Sequence, residues 1–388
     1  MNSRTELRVP GKGGTLLFQK VVPSYRVPIF RMLCNTLGIV VCHSLAKKTA
    51  SWQSFHERMD FPNILIKSLH LGWSETNVLQ NVIPTLLVCR PRVVISEFSL
   101  GYLTFWLLFL LRPLFRFRLA VWTHGIANNE MPHPFTSFRS RVERCVYNHA
   151  DAVLLYSQER KRLLGTKIDR SKLFVATNTM DTTFMLHQYD DLVLKGRGLI
   201  KRELGISSRF NLIYMGRLLP EKRIDLLLES FKLLSGRFDV SLHIIGDGPE
   251  MVRVREYQAD CQAIYAYGAI YDEELLGRYL FVSDMLLNPG YVGLSIVHAF
   301  CYGTPLVTCR MSATGPFHSP EIEYLHDGVN GLYCDLSAVS LADNIAGVLG
   351  EPPRLASMSD NALRTAREDC SIEKMLQGFG AMLNSLQA

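Results

Sequence analysis

NPGYVGLSIVHAFCYGTPLV, residues Asn288 to Val307, is the stretch whose reading decides the fold. Pro289 and Gly290 close an apolar run, Gly293 removes side-chain bulk, the residues from Ser295 on have the spacing of a short helix, and GTPLV returns the chain to a sheet. Strand, glycine loop, helix and strand in that order bring a helix N-terminus and its unpaired N–H groups to the carboxyl end of a strand, a seat suited to phosphate.

The same alternation runs outward in both directions. Before this stretch lie FNLIYMGRL, VSLHIIGDG, AIYAYGAI and DMLLNPG, and after it GLYCD. The first half holds TLLFQKVV, IVVCHSL, NILIKSL, RVVISEF, LAVWTHG, AVLLYS and KLFVATN. Alternation of this kind predicts parallel sheets with crossover helices, an α/β fold of two doubly wound, Rossmann-like domains. Between Asp181 and Glu203 the strand pattern lapses and charge rises. The expected division is therefore residues 1–190, then 191–370, with a closing helix over 371–388, where IEKMLQGFGAMLNSLQ has apolar residues at helical spacing.

Length and composition bound the function. A chain of 388 residues that is 48% apolar can bury two cores. Nine scattered cysteines without a C-x-x-C pair or metal-ligand spacing predict a reducing compartment, no disulfides and no structural metal. The polar start, MNSRTELRVPGKGG, lacks a secretory h-region, so a cytoplasmic location is expected. The run YLTFWLLFLL, Tyr102 to Leu111, is half the length of a membrane span, which needs about 20 residues. Residues 1–190 hold 24 Lys+Arg against 12 Asp+Glu, and the remainder 18 against 24. A basic half favours an anionic partner. With Arg112, Arg116 and Arg118 beside the apolar run, docking on an anionic membrane surface is one expectation, and a buried helix followed by a solvated basic turn is the other. The positive charge is dispersed rather than interleaved with aromatics, which argues against nucleic acid.

Residues just after each strand carry the chemistry. Gly216 and Arg217 follow one strand and Lys222 stands near the next helix start, an Arg fork and an ammonium able to neutralise a diphosphate. The turn Gly246, Asp247 and Gly248 allows close backbone approach to a ligand, whereas G-x-G-x-x-G is missing, which counts against a dinucleotide enzyme. Gly293, Leu294 and Ser295 open the helix of the first-quoted stretch, and His298 shares a face with Ser295.

Taken together, MGRLLPEKRIDLLLESF, IIGDGPE, YGAIYDEELLGRYLFVSDMLLNPG, GLSIVHAFCYGTPLV and HDGVNGLY resemble, over about residues 211–335, the C-terminal domain of family 4 glycosyltransferases of the GT-B fold. VVPSYRVPIF and VWTHG resemble the same enzymes more loosely, in a form similar to transferases that build bacterial surface polysaccharides. The resemblance implies two sheets facing across a cleft and transfer of a sugar, with retention, from a nucleotide diphosphate sugar to a glycan or lipid-linked acceptor. It implies no cofactor and no metal, the nucleotide sugar being a substrate. By it, Arg217 and Lys222 fall on the donor-diphosphate pair, the turn Tyr267, Gly268 and Ala269 where the nucleobase is held, and His124 on a histidine at the reaction centre. Tyr25 and Arg26 lie on a loop that could meet the acceptor. The family pattern places glutamates at what are here Gly290 and His298. A histidine still hydrogen-bonds ribose, but Gly290 offers only backbone. Glu321 and Glu97 are further carboxylates on expected loops, for the donor and the acceptor respectively. Loss of the two glutamates leaves a non-catalytic, partner-binding protein as the alternative, against which the retained Arg217 and Lys222 argue.

Overall fold

The computed structural model describes residues 12–45, 59–71, 77–127, 130 and 134–387. The polar N-terminal residues 1–11 lie outside them. The chain divides into two compact units, Met1–Asp181 together with Ile372–Ala388, and Thr182–Ser371.

The first unit contains β1 (Thr15–Phe18), β2 (Ile39–His43), β3 (Asn63–Leu65), β4 (Ser68–His70), β5 (Val78–Gln80), β6 (Val93–Glu97), β7 (Arg118–Thr123), β8 (Ala152–Leu155) and β9 (Leu173–Val175). All seven apolar runs of the first half become strands of one parallel sheet, ordered β3-β2-β1-β6-β7-β8-β9. β4 and β5 pair antiparallel as a separate ribbon. The runs are unbroken rather than alternating because both faces are covered. On one face Leu16, Val94, Leu119 and Val153 pack with Tyr102, Phe105 and Tyr147. On the other, Leu17, Ile95, Trp122 and Leu154 pack with the C-terminal helix Ile372–Gln387. Ile372, Met375, Leu376, Phe379, Met382, Leu383 and Leu386 recur on one side of that helix, and Phe379 meets Trp122 edge-on at 5.1 Å.

The second unit contains β10 (Phe210–Met215), β11 (Val240–Ile245), β12 (Ile264–Gly268), β13 (Met285–Leu287), β14 (Leu306–Cys309) and β15 (Gly331–Cys334), in a parallel sheet ordered β12-β11-β10-β13-β14-β15. The segment expected as a linker forms helices Thr182–Lys195 and Arg197–Glu203. Strand order reverses between β10 and β13, and between β1 and β6 in the first unit. Loops leaving adjacent strands at such a point diverge to opposite faces and open a crevice.

The apolar run after Tyr102 is the helix Leu103–Phe115, ended by Arg116 in a left-handed conformation. Among the described residues no helix is long and apolar enough to cross a membrane. All nine cysteines are free, and Cys145 is exposed.

Candidate functional site

At the reversal of the second sheet, β10 runs into Gly216 and Arg217, and β13 into Asn288–Gly293. The two loops are joined through their backbones. Gly290 N donates to Lys222 O at 3.1 Å and Tyr291 N to Glu221 O at 2.8 Å. Lys222 Nζ donates to Tyr291 O at 2.5 Å. A Cβ at Gly290 would stand 2.2 Å from Glu221 O and 2.4 Å from Lys222 C. No glutamate fits there: the residue the sequence pattern lacks is excluded by the loop that carries Lys222.

Burial, eased by Glu221 and reinforced by Arg217, pulls the Lys222 ammonium down to about 8. It remains mostly charged at pH 7. Arg217 is exposed, and no carboxylate among the described residues pairs with it in an ion pair. Its carbonyl accepts from Tyr214 OH at 2.8 Å, which fixes the loop from below.

Gly246 and Asp247 serve this loop rather than a ligand directly. Leu218 N donates to Asp247 O at 2.8 Å, and a Cβ on Gly246, which has φ +151, would fall 1.8 Å from Gly216 O. The glycine turn read as a ligand approach is thus a backbone-to-backbone contact that positions Arg217.

Behind the second loop, Val292 N donates to His318 Nδ1 at 3.2 Å, so the Nε2 hydrogen of this ring is available to Cys309 O at 2.8 Å. Burial lowers this imidazole to about 4 and keeps it neutral. The helix Ser295–Cys301 starts after Leu294 with no side-chain cap. Of its first N–H groups, that of Ile296 donates to Gly293 O at 3.3 Å. Ser295 Oγ is buried without a hydrogen bond among the described residues. At Gly293 an added Cβ would meet nothing closer than 3.7 Å, so this side of the loop is open.

His298 is buried at 4% exposure, with Nε2 3.2 Å from Glu273 Oε2. Glu273 opens the helix Glu273–Phe281, whose start Asp272 caps by accepting from Glu274 N and Leu275 N. The sequence reading missed Glu273, a carboxylate that the fold brings to His298 from 25 residues earlier in the chain. Its only signal was the capped helix start DEE. Tyr267 is held by its OH on His243 Nδ1 at 2.9 Å. Gly268 O accepts from Gly246 N at 2.8 Å, and Ala269 is exposed. Glu321, expected on a loop as a donor contact, is buried in the 3-10 turn Pro320–Tyr324.

The remaining residues gather at the carboxyl ends of the first sheet. Glu97 pairs with Lys20 at 2.7 Å. His124, after β7, lies against the Tyr156 ring at 4.7 Å. The residue is exposed as a whole, yet desolvation of its ring, followed by the charges of Arg26, Arg160 and Lys20, lowers it to about 4. It is a neutral imidazole at pH 7. Tyr25 and Arg26 form the short 3-10 turn Ser24–Arg26, with Arg26 turned inward and Tyr25 outward.

Residues 209–351 match the family model described as glycosyl transferases group 1. A GDP-mannose-dependent alpha-mannosyltransferase of Corynebacterium glutamicum is 35% identical over 126 residues, 32% of this chain and 27% of that protein. The chain thus spans about a quarter of the length of this curated relative. Among solved structures, Alr3699/HepE of Anabaena in complex with UDP has a TM-score of 0.70 at 16% identity, over 96% of this chain and 100% of that one. WaaG, a glycosyltransferase involved in lipopolysaccharide biosynthesis, has a TM-score of 0.63 at 14% identity, over 95% and 99% of the two chains. These structural likenesses bear on the fold, and the family match on the unit that holds Arg217 and Lys222. Residues 209–351 are therefore similar to the glycosyl transferases group 1 family, in a chain whose two parallel-sheet units have the GT-B fold.

Proposed function

We propose that the chain is a retaining, metal-independent glycosyltransferase that moves a sugar from a nucleotide diphosphate sugar to a glycan or lipid-linked acceptor in surface polysaccharide synthesis. The observation that carries this reading is the pair of loops at the β10–β13 reversal, where Lys222 Nζ donates to Tyr291 O, Arg217 stands exposed after β10, and Gly293 leaves its side of the loop open before the helix start at Ser295. As the bond between sugar and phosphate breaks, negative charge grows on the leaving diphosphate. Cations and amides already in place hold that charge more tightly than the ground state. Arg217 and Lys222 supply two positive charges, so a metal is not required for neutralisation. The UDP bound by the Anabaena protein and the GDP-mannose dependence of the Corynebacterium relative support a nucleotide donor. His124, neutral, would offer a hydrogen bond near the sugar, and His298 with Glu273 would grip the ribose.

The test is Lys222→Ala. Binding of UDP and GDP is measured by calorimetry, and turnover is followed with a panel of nucleotide sugars. Affinity for the productive nucleotide should fall at least tenfold, and an unchanged value removes the diphosphate role.

A cytoplasmic location with docking on anionic lipid belongs to the same proposal. A hollow of about 500 Å³ is lined by Phe109, Pro113 and Phe117 with Arg116, Arg118 and the Arg112–Asp151 ion pair of 2.7 Å, next to Leu110 and Leu114, each 74% exposed. Apolar surface rimmed by guanidinium groups suits a bilayer of anionic headgroups. Flotation with phosphatidylglycerol vesicles should be strong at low salt and lost at high salt; absence of flotation at low salt counts against docking.

A further inference from the structure

Nothing in the sequence marks Tyr291, yet three loops of the second unit meet on this residue. Its N–H donates to Glu221 O at 2.8 Å, and its carbonyl accepts from Lys222 Nζ at 2.5 Å and from Asn288 Nδ2 at 3.2 Å. The Lys222 ammonium lies 4.9 Å from the centre of the Tyr291 ring. The Tyr291 hydroxyl is hydrogen-bonded to Ser319 Oγ in the loop after β14, and Ser319 N donates to Val292 O at 2.9 Å. The ring is therefore fixed at both ends, by its peptide and by its hydroxyl. It also reaches Gly293, since Cε1 stands 3.7 Å from the position a Cβ there would take. One ring thus touches the ammonium and lines the open side of the loop.

A half-buried ammonium needs compensation. Glu221 is the carboxylate that acts on Lys222, and the two form no ion pair among the described residues. Arg217 opposes the charge, and His318, which feels it from the loop after β14, is neutral. Among the described residues Nζ makes no hydrogen bond besides that to Tyr291 O. The carbonyl and the negative face of the ring are thus what stabilise the charge in the free protein. An ammonium has three N–H donors, so donors remain for a ligand.

We propose that Tyr291 is the positioning residue of Lys222: its ring and carbonyl together hold the ammonium in place and charged until a phosphate group meets it. The tie from the hydroxyl to Ser319 keeps the ring from turning away. Phenylalanine at this position would keep the ring and lose the tie, whereas leucine would keep apolar bulk and lose the ring. That the phosphate belongs to a nucleotide diphosphate donor rests on the glycosyl transfer proposed above, whereas the hold on Lys222 does not.

The experiment reads Lys222 directly, by competitive labelling of the amines of the full chain with acetic anhydride across a range of pH, quantified by mass spectrometry. The negative ring face favours the ammonium, so Tyr291→Leu should lower the Lys222 pKa by about half a unit or more, and Tyr291→Phe by less than half of that change. UDP or GDP affinity, measured by calorimetry, should fall about threefold in Tyr291→Leu at about pH 8.5 and stay nearly level at about pH 6.5, a split that lost packing alone does not give. If Tyr291→Leu does not fold, Tyr291→Phe with its ring fluorinated step by step keeps the ring while weakening its negative face, and the pKa should fall with each fluorine. A Lys222 titration unchanged in Tyr291→Leu, an equal shift in Tyr291→Phe and Tyr291→Leu, or a flat fluorine series overturns the proposal. If neither UDP nor GDP binds while the Lys222 titration follows the ring, the donor reading falls and the positioning stands. If affinity depends on Lys222 while its titration ignores the ring, the positioning falls and the donor reading stands.

Discussion

The strand-end edges of the two units use opposite means to hold cations. In the second unit, Arg217 and Lys222 ride on loops locked by backbone contacts, with Gly290 against Glu221 and Gly246 against Gly216. In the first, Arg26 is held by side chains from three separate strand ends, Trp122, Tyr156 and Asn178. A backbone-built seat tolerates little change at its glycines and binds a group common to many ligands. One built from side chains can be retuned residue by residue, which suits the partner that varies.

That contrast can be broken by uncoupling the units. Phe379→Ala removes a fully buried ring from the first unit and should cost it about 3–5 kcal/mol. Calorimetric unfolding should show one transition falling while that of the second unit stays in place. A common shift of both would mean that the units do not unfold independently. Gly290→Ala sharpens the contrast from the other side. The added methyl collides with Glu221 and Lys222, so the second unit should lose about 1–3 kcal/mol and nucleotide affinity should fall with it. Retained affinity would show that the two loops need not touch. The smallest effect is one of pH. On the proposed reading, nucleotide diphosphate binds the ammonium form of Lys222 and should raise its pKa above the value of about 8 in the free protein. Affinity is therefore full below pH 8 and falls as pH rises through it, by at most about tenfold per unit, or about 1.4 kcal/mol. Lys222→Met should flatten the profile, and a slope unaffected by that change would assign it elsewhere.

The difference in construction also explains what could be read in advance. Thirteen apolar runs became thirteen strands of the two main sheets because buried parallel strands need no partner information beyond their own composition. Arg217, Lys222 and Gly293 were legible because glycines and cations stand at short, fixed spacings along the chain. The short strands β4 and β5 were not, since a strand of three residues carries too little pattern. Glu273 was invisible as the partner of His298 because two helices with a strand between them bring the pair together. Arg26 could be named as a loop residue, but its burial against Tyr156 and Asn178 depends on residues more than a hundred positions away. The packing of Gly290 was not legible for a related reason: it lies against the carbonyl of Glu221, a neighbour that only folding provides.

The helix Ile372–Gln387 has a consequence for the order of synthesis. It covers the face of the first sheet that carries Leu17, Ile95 and Trp122, yet it follows the whole of the second unit in the chain. During translation the second unit has all its residues first, while the earlier one waits with part of one apolar face uncovered. The unit begun first is finished last, and for that interval its half-covered sheet is the part of the nascent chain most open to chaperones.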